Sequence, residues 1–223
     1  MTRTRYSAVI FDLDGTLIDS EPVFSAVAKL AALDFDRCFT DQLYLDLVGL
    51  PGTEVEKGIV DAFGQNFPLN AFRERFAEYW LKYVETHGIN VKPGVLEMID
   101  CLDGLAVPYA IATSTPRDRA VHSLRLSNLQ DRFEFLVGVD QISNGKPAPE
   151  IYLEAAQLID TEATECIAIE DSKVGVCAAV AAGMYTIMVP DIKPPDPQTR
   201  NLVSEIVPTM TAVIKRILHL MKT

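Results

Sequence analysis

Apolar residues in this chain follow two rhythms. Five short runs, at residues 6–11, 107–112, 133–139, 166–169 and 185–189, are nearly continuous rather than alternating. Strands buried on both faces read this way, as in a parallel sheet covered by helices on either side. Between the runs, residues 94–105, 116–126, 148–159 and 172–182 carry helical signals at crossover length. Val213, Ile217 and Leu220 are in helical phase within residues 210–221, which predicts a terminal helix packed on the sheet. The alternation of strand and helix specifies an α/β fold.

Residues 18–90 break this rhythm, because they contain no convincing strand. Phe24, Val27, Ala28 and Ala31 fit one helical face, and Phe72, Phe76, Tyr79, Trp80 and Tyr83 fit another. We therefore expect an all-helical cap, residues 18–90, inserted into a core made of residues 1–17 and 91–223, with hinges near 17–20 and 88–94. The proline-rich stretch 193–197 reads as a surface connection.

Composition narrows the function. The net charge of −11 argues against sequence-independent nucleic-acid binding, which depends on Lys and Arg displacing counterions. No apolar run approaches the roughly 20 residues needed to cross a bilayer. The basic N-terminus, residues 1–5, leads into an apolar stretch that ends at Asp12 without a small-residue cleavage site, so it does not read as a signal peptide. Cys38, Cys101, Cys166 and Cys177 lack CxxC spacing and sit in apolar stretches, which predicts buried thiols in a reducing cytoplasm. A cytoplasmic monomer is the default expectation. His87, His122 and His219 form no ligand spacing.

Polar clusters follow the apolar runs. Ligand crevices in open α/β sheets lie at the carboxyl ends of strands, so such clusters should converge in space. Asp12-Leu13-Asp14-Gly15-Thr16 places two carboxylates two residues apart at a strand exit. Their joint ionisation requires a cation, and a hard divalent ion suits oxygen ligands; an Asp-Gly turn is the structural alternative. Thr113-Ser114-Thr115 precedes Pro116 and offers hydroxyls and free amides for a phosphate, or a simple helix cap. Lys146, before Pro147, sits in a loop where a lysine is ordinarily solvated but could neutralise a carboxylate and a phosphoryl oxygen. Glu170-Asp171-Ser172 ends the fourth run, where acids also complement a helix dipole.

Taken together, Phe11-Asp12-Leu13-Asp14-Gly15-Thr16, Ala112-Thr113-Ser114, Gly145-Lys146-Pro147 and Ile169-Glu170-Asp171-Ser172 resemble the four motifs of the haloacid dehalogenase superfamily, in the branch of β-phosphoglucomutase and sugar-phosphate phosphatases. The resemblance covers nearly the whole chain and implies a Rossmann-like, three-layer core. It makes Asp12 the nucleophile, forming an aspartyl-phosphate, and Asp14 the general acid and then base. It implies Mg²⁺ held by Asp12, the Asp14 carbonyl and Asp171, with Glu170 left open as a further ligand. Phosphate would be bound by Asp12, Gly15, Thr16, Thr113, Ser114 and Lys146.

The resemblance implies a phosphatase acting on a small phosphorylated metabolite, a sugar phosphate or nucleoside monophosphate. The rival within the branch is a phosphosugar mutase. That enzyme resembles this chain but carries a basic pair in the cap loop that here reads Val48-Gly49-Leu50-Pro51-Gly52-Thr53, and a histidine near Phe24. All those positions are uncharged here, which predicts net hydrolysis. The family's dehalogenases lack the second aspartate, so Asp14 argues for phosphoryl transfer. A silent phospholigand-binding protein usually loses a motif carboxylate, and none is missing. Glu21, Phe24, Leu50, Thr53 and Trp80 are the cap residues considered for specificity.

Overall fold

The structure is a computed structural model and describes residues 6–221; the basic stretch at residues 1–5 lies outside it. Five strands match the apolar runs: β1 (Ala8–Phe11), β2 (Tyr109–Thr113), β3 (Leu136–Gly138), β4 (Cys166–Glu170) and β5 (Tyr185–Met188). A sixth, β6 (Glu205–Ile206), was not foreseen, because two half-buried edge residues carry no apolar run. All pair in parallel, in the order β3-β2-β1-β4-β5-β6.

The two faces of the sheet differ in side-chain size. Val9, Phe11, Ile111, Ile167 and Ile169 pack against α5 (Val95–Gly104), α6 (Arg117–Leu126) and α10 (Met210–Leu220). Ala8, Ile10, Ala110, Ala112 and Ala168 face α7 (Glu150–Leu158) and α8 (Lys173–Ala181). Both faces of β1 and β4 are wholly buried, which is why their sequences run apolar without alternation. The α7 helix begins two residues later than residue 148, because Ala148 closes a turn onto the Gly145 carbonyl.

The insert folds as α1 (Glu21–Leu33), α2 (Asp41–Leu47), α3 (Gly52–Phe63) and α4 (Leu69–His87), with its own core around Ala31, Phe39, Ile59, Phe67 and Phe72. Phe24 of α1 stacks on Trp80 of α4 at 4.4 Å between centroids, which locks the longest pair of cap helices together. Two strands of chain connect insert and core side by side. Ile18 bridges Val91, Asp19 N–H donates to the Asn90 carbonyl, and Lys92 N–H donates to the Leu17 carbonyl. The Lys92 ammonium binds Asp191 at 2.5 Å and Asp19 at 3.5 Å, pinning this connection to the loop after β5.

The cysteines correct one expectation. Cys166 alone among the four is buried; Cys38 is exposed and Cys101 and Cys177 are half-buried. Cys38 lies between α1 and α2, where the chain crosses the cap surface. No helix among the described residues is long and apolar enough to cross a membrane.

Candidate active site

Strand register alone brings the polar clusters to one rim. Phe11 pairs with Ile111 on one side and Ile169 on the other, so Asp12, Thr113 and Glu170 leave the sheet together. Asp12 N–H still donates to the Ile169 carbonyl at 3.0 Å, which holds the nucleophile candidate in line with its strand. Its carboxylate accepts a hydrogen bond from Lys146 at 2.6 Å.

Lys146 is not a solvated loop lysine. Its side chain is 3% exposed and bridges Asp12 and Glu170, each at 2.6 Å, with the ammonium 5.0 Å above the Tyr152 ring. Burial would lower its pKa, but the two carboxylates outweigh burial and hold it well above the ordinary lysine value.

Glu170 is fully buried and saturated. One oxygen accepts from Lys146 and the Tyr152 hydroxyl, and the other accepts from the Asp171 and Ser172 amides and the Ser172 hydroxyl. Ser172 also caps α8 by accepting from Gly175 N–H at 3.1 Å. Gly175 lets the first turn of α8 lie flat on this carboxylate, since an added Cβ would overlap it. Gly175→Ala should therefore lower stability by about 1–3 kcal/mol, or roughly 2–12 °C in Tm. The control is Gly104→Ala, whose Cβ meets nothing within 4 Å; equal melting temperatures for the two variants would contradict the packing.

Among the described residues no donor reaches one oxygen of Asp171; Thr16 donates to the other at 3.4 Å. Gly15, with φ of 82°, turns the chain beneath it, and a Cβ there would sit 2.5 Å from Asp171 Oδ2. Gly15 and Thr16 thus back Asp171 and do not line the cavity, unlike Asp12, Asp14, Thr113, Ser114 and Lys146.

The donor set fits a hard divalent cation. Ligand oxygens of Asp12, Glu170 and Asp171 lie within 4.8 Å of one another. Burial pushes the Asp12 carboxyl well above its ordinary range, Lys146 draws it back, and Glu170 and Asp14 repel it. Burial does the same to Asp171, with repulsion from Glu170, Asp12 and Glu21 added. One lysine cannot neutralise this crowd, and an all-oxygen donor set suits a hard divalent cation.

Asp14 faces the cavity from the other side of the turn. Its carboxylate accepts from the Thr115 hydroxyl at 2.6 Å, and burial raises its pKa. Thr113 Oγ1 accepts from Thr115 N–H at 3.0 Å, so this loop orders itself around Asp14 rather than capping α6. Asp140 takes the capping role, accepting from Arg117 N–H at 2.7 Å.

Two chambers meet at this rim. The first, about 530 Å³, holds Asp12, Lys146 and Asp171 and extends beneath Lys193, Pro194 and Pro195, so the proline-rich stretch walls the site instead of merely connecting surface elements. The second, about 630 Å³, enters the cap past Phe24, Leu50, Phe72 and Phe76. Asp14, Glu21 and the cap loop from Val48 to Leu50 border both. Thr53 lines neither, and Trp80 is cap core.

The comparisons agree with this geometry. Residues 9–189 match the family model for haloacid dehalogenase-like hydrolases. The chain belongs to that family. A phosphorylated carbohydrates phosphatase from Thermotoga maritima is 34% identical over 81% of this chain and 83% of its own. Hexitol phosphatase A from Escherichia coli is 29% identical over 83% of each chain. A solved Thermotoga maritima structure, described as a candidate β-phosphoglucomutase, superposes with a TM-score of 0.78 at 28% identity, covering 96% of this chain and 99% of its own. This haloacid dehalogenase-like hydrolase therefore has a parallel core and a helical cap consistent with the family.

Three residues with a place in the site escaped the sequence reading. Tyr152 lies within the helical stretch 148–159 and carries no separate signal there, although a buried tyrosine hydroxyl usually finds a partner. Tyr44 and Asp191 carry no local signal, because their partners are Glu21 and Lys92, far away in sequence.

Proposed function

We propose that this enzyme is a Mg²⁺-dependent phosphomonoesterase that acts on small phosphorylated metabolites, sugar phosphates foremost, through an aspartyl-phosphate at Asp12. The observation that carries the reading is the Asp12–Lys146–Glu170 bridge at the rim, with Asp171 and Asp14 alongside. The relatives named for phosphorylated carbohydrates and hexitols support the substrate class.

Asp12, the Asp14 main-chain carbonyl and Asp171 would hold Mg²⁺. A metal that also took Glu170 would have to displace Lys146 or the loop amides, so we assign Glu170 to holding Lys146. When bound, the ion neutralises charge on the transferring phosphoryl group. Lys146, Thr113 and the Ser114 amide hold the phosphoryl oxygens. The bond from Asp12 to phosphorus forms as the ester P–O bond breaks, and the proton of Asp14 goes to the departing oxygen. Burial, by raising its pKa, helps Asp14 carry that proton. Water then attacks phosphorus, Asp14 accepts its proton, and Asp12 and inorganic phosphate are released. The helical insert, residues 18–90, closes the site to bulk water in this reading.

Hydrolysis is favoured over a mutase reaction because the cap loop that borders Asp14 carries no cation for a second phosphate, and Arg73, the cap cation that lines the second chamber, is paired with Glu56. The bordering loop Val48-Gly49-Leu50 is uncharged, and Phe24 is committed to its stack on Trp80. A phosphate-release screen over a metabolite panel tests the proposal. Release should cease with a chelator and return with Mg²⁺. Metal-independent release, or interconversion of glucose 1- and 6-phosphates faster than phosphate release, would contradict it.

A further inference from the structure

Glu21 stands where the two chambers join, beside Asp14, at the first turn of α1. The Tyr44 hydroxyl donates to its main-chain carbonyl at 3.0 Å and also to its carboxylate Oε2. Oε1 accepts no hydrogen bond from any described residue. A half-buried carboxylate is thus held rigid by one oxygen and offers the other to the cavity.

Position decides what that oxygen meets. A leaving-group oxygen that takes a proton from Asp14 must lie next to Asp14, so the carbons attached to it occupy the junction and then the cap chamber. Phe24, Phe76, Leu50 and Val55 form walls there that offer no hydrogen bonds, while Tyr44 is engaged with Glu21 and Thr115 with Asp14. Arg73 is paired with Glu56, and Arg119 is an exposed residue of α6. At the junction itself the leaving group finds the fixed Glu21 carboxylate and no cation of the cap; Lys193 of the core, which lines the first chamber, is engaged with the Val48 carbonyl at 3.0 Å.

The geometry points to Glu21 as the residue that selects the leaving group: it accepts hydrogen bonds from hydroxyls near the ester carbon and repels a second anion there. The inference rests on the phosphatase reading and narrows its substrates to phosphate esters of neutral polyhydroxylated compounds. Burial and the nearby Asp14 and Asp191 carboxylates raise the Glu21 pKa, and Tyr44 opposes them.

Three probes separate the possibilities: sorbitol 6-phosphate, whose leaving group is a neutral polyol; p-nitrophenyl phosphate, whose leaving group has no further hydroxyl; and 2-phosphoglycolate, whose leaving alcohol carries a carboxylate. Glu21→Ala should lower the ratio of kcat/KM for the polyol ester over the aryl ester by about ten- to a hundredfold, the range of a hydrogen bond to a charged group. Most of that loss should appear in KM for the polyol ester. Tyr44→Phe, which leaves the carboxylate but releases it, should move the same ratio by roughly two- to tenfold. Glu21→Gln should raise kcat/KM for 2-phosphoglycolate relative to the aryl ester. If Glu21 acted through the metal or the fold, both esters would fall together; an unchanged ratio in Glu21→Ala overturns the assignment and leaves the phosphatase reading standing. A wild-type enzyme that releases phosphate from none of the three with Mg²⁺ present overturns both.

Discussion

Asp12→Asn should reduce phosphate release by on the order of 10⁴–10⁶-fold while the protein remains folded. The amide has the shape of the carboxylate but is a far poorer nucleophile. Lys146 would keep Glu170 as its partner, and the repulsion that Asp12 exchanges with Glu170 and Asp14 would disappear. The midpoint of denaturant unfolding should therefore stay within about 1 kcal/mol of wild type or rise. Turnover of a phosphomonoester within tenfold of wild type would rule out the covalent route.

The second large effect falls on stability and activity together. Lys146→Met removes the only ammonium in contact with Asp12 and Glu170 among the described residues, and leaves two buried carboxylates without their cation. Breaking such a pair from one side costs about 3–5 kcal/mol. Activity should fall by roughly 10²–10³-fold, the scale for losing one fixed donor to the transferring group. The pH dependence follows from the direction of the lysine shift. Its folded pKa is raised above the unfolded value, so its stabilisation is complete below about 10.4 and is lost only as pH climbs through the higher folded value. The deficit of the variant should accordingly be present in full at pH 7. It should shrink in acid, where protonation removes the unpaired charges. Urea titrations at pH 7 and pH 5 with matched midpoints for variant and wild type would contradict this role.

Much of this site was legible because its pieces end strands. Continuous apolar runs located β1, β2, β4 and β5, and parallel register then forced Asp12, Thr113 and Glu170 to a common rim. The second layer was less legible. Tyr152 reads as core until the fold sets its hydroxyl 2.8 Å from Glu170. Glu170 and Asp171 are indistinguishable as ligands in sequence; they separate only when five donors are seen to occupy the first and one the second. The family resemblance implies Gly15 and Thr16 as phosphate binders; the turn sets both against Asp171. The two-residue β6 and the exposed Cys38 had no periodic signal to betray them.

The cap carries the same lesson. Phe24 and Trp80 were both candidates for substrate contact, but a 4.4 Å stack makes Trp80 the support and leaves Phe24 as wall. Glu21 could equally have been a helix-dipole acid. Only the tertiary contact with Tyr44, from the next helix, turns it toward the junction of the two chambers.

The most direct measurement is to mix enzyme, Mg²⁺ and a turned-over phosphomonoester, quench in acid within one turnover, and map the modified peptide by mass spectrometry. One phosphoryl group on Asp12, absent from Asp12→Asn and discharged by water on a longer delay, is the predicted result. A phosphoryl group on any other residue, or none at any time while inorganic phosphate appears, would contradict it.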